Sequence, residues 1–136
     1  MGSTENSVQA RWEGGLRAVV SAGGFEIEAD EPASAGGGGT GPQPTELLLA
    51  AIASCFTLAL AYTARKRDVT LTGLEVDVTG HYDGPRFDAF RITVHAAEPR
   101  DEALTELITA AQRVCYVTRT LASPPEIEIV VGARSH

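Results

Sequence analysis

The sequence predicts an α+β fold with a mostly antiparallel sheet, a long buried helix and the element order β-β-β-α-β-β-α-β. Three observations lead to this prediction. Apolar and polar residues alternate in short segments, a long uncharged segment has the length of a helix, and a later segment carries apolar residues at helical spacing. Because hairpins rather than βαβ units dominate, we expect the helices to pack on one face of the sheet.

The N-terminal segment predicts a three-stranded meander. Residues 8–30 alternate between apolar and polar side chains and are interrupted at Gly14-Gly15 and Gly23-Gly24. A period of two broken by glycine turns is typical of antiparallel strands with one solvated face. Residues 31–43, which include four consecutive glycines, predict a loop, and this is the stretch where we expect flexibility.

A long helix is predicted over residues 44–67. Pro44 suits the first helical position, and Leu47 to Ala64 carries no charge for 18 residues. Such a segment is about 27 Å long, just short of the hydrocarbon thickness of a membrane. Its six alanines and four hydroxyl side chains are unfavourable toward lipid, so we expect a helix buried in protein on most sides rather than a membrane span.

The second half of the chain predicts a hairpin, an amphipathic helix and a last strand. Residues 74–96 alternate on either side of the turn Asp83-Gly84-Pro85-Arg86. Apolar residues then follow helical spacing as far as Cys115. Ser123-Pro124-Pro125 ends the helical region, and the alternation over 127–131 predicts a final strand.

Length and charge limit the classes of function. The 136 residues predict a single domain, 1–136, with residues 1–7 disordered. A net charge of −7 argues against binding to nucleic acid or to an anionic membrane. The first residues have neither a basic nor an apolar segment typical of a signal peptide, and with only two cysteines we expect a cytoplasmic protein.

Cys55, midway along the long helix, and Cys115, on the apolar stripe of the later helix, are the candidate reactive residues. Free cysteine is often a small buried filler, and a thiol buried in apolar surroundings is inert. The residues alone therefore leave a structural and a chemical role open. The histidines and cysteines lack the spacing of a metal site, and Gly36–Gly41 lacks the lysine of a phosphate-binding loop, so we expect no metal and no cofactor.

Two motifs give the chain a resemblance to a known family. The first is Asp30-Glu31-Pro32, a glycine loop, and Gly41-Pro42-Gln43-Pro44-Thr45-Glu46-Leu47-Leu48 leading to Cys55. The second is Cys115-Tyr116-Val117-Thr118-Arg119-Thr120-Leu121. With the predicted element order, these residues resemble the OsmC/Ohr superfamily over residues 8–131, in a branch with the pattern Gly-Pro-x-Pro-x-Glu-Leu-Leu.

The resemblance implies an intertwined homodimer with the long helices buried between subunits. It also implies a thiol peroxidase in which Cys55 attacks an organic hydroperoxide and becomes a sulfenic acid. Cys115 would then condense with it to a disulfide, which an external dithiol reduces. The alternative is a non-catalytic dimer that binds a hydrophobic small ligand or senses redox state.

The resemblance further implies an arginine near the thiolate, oriented by a glutamate. Here Thr45 stands ten residues before Cys55, the neighbouring acid is Glu46, and Arg17 is the candidate arginine. On a straight helix Glu46 lies about 13.5 Å from Cys55 and on the opposite side. We therefore expect the Cys55 thiol to react slowly at neutral pH, and any peroxidase activity to be weaker than in relatives that carry the full pair.

Overall fold

The computed structural model describes residues 4–133, and within that range the chain forms five strands, three α-helices and a single 3-10 turn. The chain divides into two compact units, the first ending at Ala50 and the second beginning at Ala51. The long helix α1, Pro44–Lys66, begins in the first unit and continues through the second. The predicted α+β class is confirmed.

The first unit contains a three-stranded antiparallel sheet. Its strands are β1 (Gln9–Trp12), β2 (Arg17–Ala22) and β3 (Phe25–Asp30), in the order β1-β2-β3. The glycine pairs Gly14-Gly15 and Gly23-Gly24 all have positive φ, which tight hairpin turns require and which glycine adopts without steric cost. The predicted meander is therefore confirmed.

One apolar side of this sheet stays exposed in the single chain. Trp12 and Phe25 have exposed fractions of 77% and 76%, whereas Val19 and Ala29 are buried. Alternation predicted one solvated face and one dry face. The described residues of one chain do not cover Trp12 and Phe25, so only part of the predicted dry face is formed.

The second unit packs two helices and most of α1 against a hairpin. The strands are β4 (Glu75–Asp83) and β5 (Arg86–His95), and the helices are α2 (Asp101–Gln112) and α3 (Tyr116–Ala122). Apolar hairpin residues alternate with exposed polar ones, as the period of two predicted. The buried core of this unit is formed by Phe56, Ala59, Leu60, Ala64, Leu107, Ala111 and Cys115.

Helix α1 is buried along one stripe only. Ile52, Phe56, Leu60 and Thr63 recur at helical spacing and are buried, whereas Leu58 on another side is 67% exposed. The expectation of burial on most sides is therefore not met within one chain. The helix is long and apolar enough to cross a membrane, a test that core helices of soluble proteins also pass.

Two predicted elements differ from the structure. The single later helix is broken between Gln112 and Tyr116, because Cys115 takes an extended conformation with φ −84° and ψ 108°. The predicted strand at 127–131 is absent: no described strand of the chain pairs with it, and a strand exists only through bonds to a neighbour. Val131 is 99% exposed.

The terminal and loop predictions are met in part. Residues 1–3 of the expected disordered segment 1–7 lie outside the described residues, and residues 4–7 form neither helix nor strand. The predicted loop 31–43 is present and contains one 3-10 turn at Ala33–Ala35. Whether 1–136 folds as a single domain stays a prediction.

Candidate functional site

Cys55 lies midway along α1, beside an apolar cavity. The thiol is partly buried and packs against the core of the second unit. The cavity has a volume of about 440 Å³ and is lined by Cys55, Leu58, Ala59, Tyr62, Val114 and Tyr116. A small apolar molecule could therefore reach the Cys55 sulfur.

Cys115 lies in the break between α2 and α3 and is completely buried, with 0% exposure. It is the residue that precedes the first turn of α3, and its carbonyl oxygen accepts the Arg119 amide N–H at 3.1 Å. Leu107 and Ala111 of α2 pack in the same core cluster. The sequence prediction that Cys115 faces the core is confirmed, although it lies at a helix start rather than on a helix stripe.

The structure brings the two cysteines together as free thiols. Burial raises the pKa of the Cys115 thiol, but hydrogen bonds from the side chain and amide of Thr118, from the Cys55 thiol and from the Val117 amide lower it. The net effect leaves the pKa of Cys115 below that of an ordinary thiol. The Cys115 sulfur is therefore the better acceptor of the pair.

These donors are individually weak. The Cys115 side chain forms no well-aligned capping hydrogen bond with α3. The Thr118 hydroxyl has a single proton, and the Cys115 carbonyl oxygen, 3.4 Å away, competes with the sulfur for it. The lowered pKa of Cys115 thus comes from several imperfect donors around one sulfur, and from no single strong bond.

Arg17, the first residue of β2, is held by a carboxylate in the first unit. Its Nη2 and Nε atoms lie 2.6 Å and 3.1 Å from the same oxygen, Oε2 of Glu28. Hydrogen bonds from Arg17 and then Thr40 lower the pKa of Glu28, and the bond to Glu28 raises the pKa of Arg17. The guanidinium is therefore oriented by Glu28, a partner that the sequence analysis did not identify.

Glu46 serves the start of α1. Its Oε1 atom accepts the amide N–H of Gln43 at 2.9 Å, three residues earlier. This is the reciprocal arm of a capping box, which satisfies a backbone donor at a helix start. The spacing between Gln43 and Glu46 was visible in the sequence and would have indicated this role.

Asp30, at the end of β3, is a buried carboxylate that the sequence analysis did not single out. It is 2% exposed and accepts the Thr40 hydroxyl at 2.8 Å, the Thr40 amide at 3.2 Å and the Gly38 amide at 3.3 Å. Hydrogen bonds from the side chain and amide of Thr40 are the main cause of its lowered pKa. Asp30 therefore fastens the glycine loop to the sheet.

The remaining titratable residues suggest no further centre. His81 and His95 pair with Asp88 and Asp77 at 2.7 Å and 3.0 Å on the exposed side of the hairpin. Among residues 4–133, no group of three or more His, Cys, Asp or Glu side chains is placed to hold a metal ion. The cysteine pair and its cavity are the candidate site.

Comparison with known proteins gives a family match. The family model described as OsmC-like protein matches residues 36–130, more than half of the chain. No curated protein sequence matches significantly.

Solved structures share the fold. One, assigned as an osmotic stress induced and detoxification response protein of Psychrobacter arcticus, has a TM-score of 0.74 at 22% identity, covering 88% of this chain and 90% of that one. An OsmC organic hydroperoxide resistance protein of Legionella pneumophila has a TM-score of 0.68 at 17% identity, covering 90% and 93%. A protein of Vibrio cholerae assigned to organic hydroperoxide resistance, with captopril in one of its active sites, has a TM-score of 0.63 at 29% identity, covering 89% and 88%.

Proposed function

Because the chain belongs to the OsmC-like protein family, we propose that it is a thiol-dependent peroxidase that reduces organic hydroperoxides through Cys55 and Cys115. Family membership and the names of the solved relatives support a role in hydroperoxide resistance or redox chemistry. The observation that carries the finer proposal is the contact between two free thiols, one buried and one beside a cavity.

The proposed reaction divides the work between the two thiols. The Cys55 thiolate attacks the distal oxygen of the hydroperoxide, the O–O bond breaks, and an alcohol leaves while Cys55 becomes a sulfenic acid. The Cys115 sulfur then attacks the Cys55 sulfur, forming the disulfide and releasing water. An external dithiol restores both thiols, so a reducing compartment such as the cytoplasm suits the cycle.

The cavity beside Cys55 supports an organic rather than an inorganic peroxide. Leu58, Ala59 and Val114 give it aliphatic surface, and Tyr62 and Tyr116 give it aromatic surface. Pockets lined in this way favour apolar ligands. We expect kcat/KM for cumene hydroperoxide to exceed that for hydrogen peroxide, and the opposite order would contradict the proposed substrate class.

A homodimer is part of the proposal. Trp12, Phe25 and Leu58 are largely exposed in the single chain, as is Ile129 in the alternating segment that has no partner strand. Soluble monomers rarely expose this much contiguous apolar surface, so a second copy of the chain is the proposed cover. Light scattering is expected to give twice the mass of the chain, and a value near 14.3 kDa would contradict it.

Arg17 is proposed as the cation that assists the Cys55 thiolate in the assembled protein. Glu28 orients its guanidinium as a carboxylate would, while Glu46 is engaged at the start of α1. Arg17→Met is expected to slow oxidation of Cys55. Arg11→Met, which removes an arginine from weaker ion pairs of the same sheet, is the matched control.

The test of the peroxidase proposal is consumption of cumene hydroperoxide with dithiothreitol as the reductant. Cys55→Ser is expected to abolish consumption, whereas Ser54→Ala, at the exposed neighbouring position of α1, is expected to retain it. Equal rates for wild-type protein and Cys55→Ser would show that consumption does not pass through this thiol. Absence of consumption by the wild-type protein would refute the proposal.

A second cavity supports the alternative function, binding of a hydrophobic small ligand. It has a volume of about 460 Å³ in the second unit and is lined by Phe56, Ile92, Val94, Ile108, Gln112, Thr118, Arg119 and Ala122. Saturable binding of an apolar fluorescent probe, lost in Ile108→Trp, by a protein that consumes no hydroperoxide would favour this function.

A further inference from the structure

The two thiols differ in access and in surroundings. Cys55 borders the cavity that a hydroperoxide would enter, whereas Cys115 is fully buried and cannot be the first sulfur that a peroxide meets. The hydrogen bond between them runs from the Cys55 thiol to the Cys115 sulfur. The accessible thiol therefore directs its proton toward the inaccessible one.

We infer that Cys115 takes the proton of the Cys55 thiol and returns it to the departing alkoxide, in addition to closing the disulfide. The inference rests on the proposed peroxidase function and adds a general base and general acid to it. It gives Cys55 an activating partner within its own chain.

The proton transfers balance over one cycle. In the resting pair Cys115 is the thiolate and Cys55 the thiol, and transfer of one proton produces the Cys55 thiolate and the Cys115 thiol. The Cys55 sulfur then takes the distal oxygen as the O–O bond breaks, and the alkoxide receives the Cys115 proton to leave as the alcohol. Cys115 is again a thiolate, the form that attacks the sulfenic acid while hydroxide leaves and is protonated to water.

The elements around Cys115 contribute no competing charge. Helices α1 and α2 present Phe56, Leu60 and Leu107 to the core, and the hairpin contributes aliphatic side chains to the same cluster. Arg113 and Arg119, the nearest cations along the chain, are exposed and line other cavities. Cys55 is thus the titratable group in contact with the Cys115 sulfur among the described residues, and the two titrate as a pair.

The experiment separates this role from disulfide closure by measuring steps that precede closure. In reduced protein, alkylation of Cys55 by iodoacetamide is followed across the pH range around the ordinary thiol pKa of about 8.5. The initial rate of sulfenic acid formation with cumene hydroperoxide is followed by rapid quenching with dimedone. Wild-type protein is compared with Cys115→Ser, which keeps the size of the side chain and removes its basicity.

At neutral pH we expect Cys115→Ser to lower both rates roughly tenfold, the effect of one pKa unit, and the difference to disappear above the ordinary thiol pKa. Equal rates at neutral pH would show that Cys115 acts in disulfide closure alone. The alkylation profile needs no peroxide. A profile shifted by Cys115→Ser in a protein that consumes no hydroperoxide would therefore uphold the proton transfer between the thiols while refuting the peroxidase function.

A second variant covers the case in which Cys115→Ser does not fold. Thr118→Val removes a donor to the Cys115 sulfur and keeps both cysteines, so the midpoint of Cys55 alkylation is expected to move to higher pH while the disulfide still forms. Thr120→Val, the same substitution at an exposed position of α3, is expected to leave the midpoint unchanged. A midpoint equal in wild type and Thr118→Val would overturn the inference.

Discussion

Replacement of Leu60 by alanine tests whether the core around Cys115 is as dry as the structure shows. Leu60 is 0% exposed and lies in the same cluster as Phe56, Leu107 and Cys115. Its neighbours are fixed on helices, so the cavity left by the substitution is expected to collapse only partly. Leucine-to-alanine changes at such sites cost roughly 3–5 kcal/mol, the upper part of their range.

That cost is a large share of the total stability. A chain of 136 residues has a free energy of unfolding of roughly 7–20 kcal/mol at the usual value per residue. Leu60→Ala is therefore expected to lower the midpoint of urea unfolding substantially with an unchanged slope, and to make Cys115 accessible to alkylation in the folded protein. A loss below about 1 kcal/mol, typical of surface changes, would refute the described core.

Leu58→Ala is the companion measurement. It is the same substitution on the same helix, at a residue 67% exposed in the single chain. In a monomer its cost is expected to stay within about 0.5 kcal/mol. In the proposed homodimer its cost rises, and stability depends on protein concentration. A cost within the surface range at every concentration would leave Leu58 outside any dimer interface.

Three further predictions concern the loop and the start of α3. The pKa of Asp30 is lowered in the folded state, so its contribution to stability is present above the ordinary carboxyl pKa of about 3.9 and is lost as the pH falls; Asp30→Asn should lower Tm at pH 7 and differ little from wild type in acid. Tyr116→Pro should keep or raise Tm, because proline suits the first turn of a helix and Cys115 already has the extended conformation that a following proline requires; a large loss of Tm would contradict this. Gly37→Ala should destabilise the loop by about 1–3 kcal/mol, because the added Cβ would overlap the carbonyl of Glu31, and unchanged urea unfolding would contradict that geometry.

Much of the fold could be predicted because local pattern and final structure agree. The glycine pairs at 14–15 and 23–24 set the turns of the first sheet, and the uncharged stretch after Pro44 becomes one helix. The break before Cys115 was not predicted, because the apolar stripe continues through it at helical spacing. The segment 127–131 has the pattern of a strand, but a pattern cannot supply the neighbouring strand that a sheet needs.

The candidate site was predictable to a similar degree. Cys55 and Cys115 were identified from motif and resemblance, and the structure brings them into contact. The pairing of Arg17 with Glu28 was missed, because it joins two strands across the sheet and leaves no local spacing to read. Asp30 was missed for a related reason: a carboxylate in an alternating strand reads as solvated, and its burial depends on the loop that folds back onto it.

The most direct test of the account is the state of the two cysteines after one turnover. Reduced protein is treated with one equivalent of cumene hydroperoxide, remaining thiols are alkylated, and the digested protein is analysed by mass spectrometry. We predict one peptide in which Cys55 is joined to Cys115, and in Cys115→Ser a sulfenic acid on Cys55 that dimedone traps. Recovery of both cysteines fully alkylated, with the hydroperoxide unconsumed, would contradict the peroxidase account.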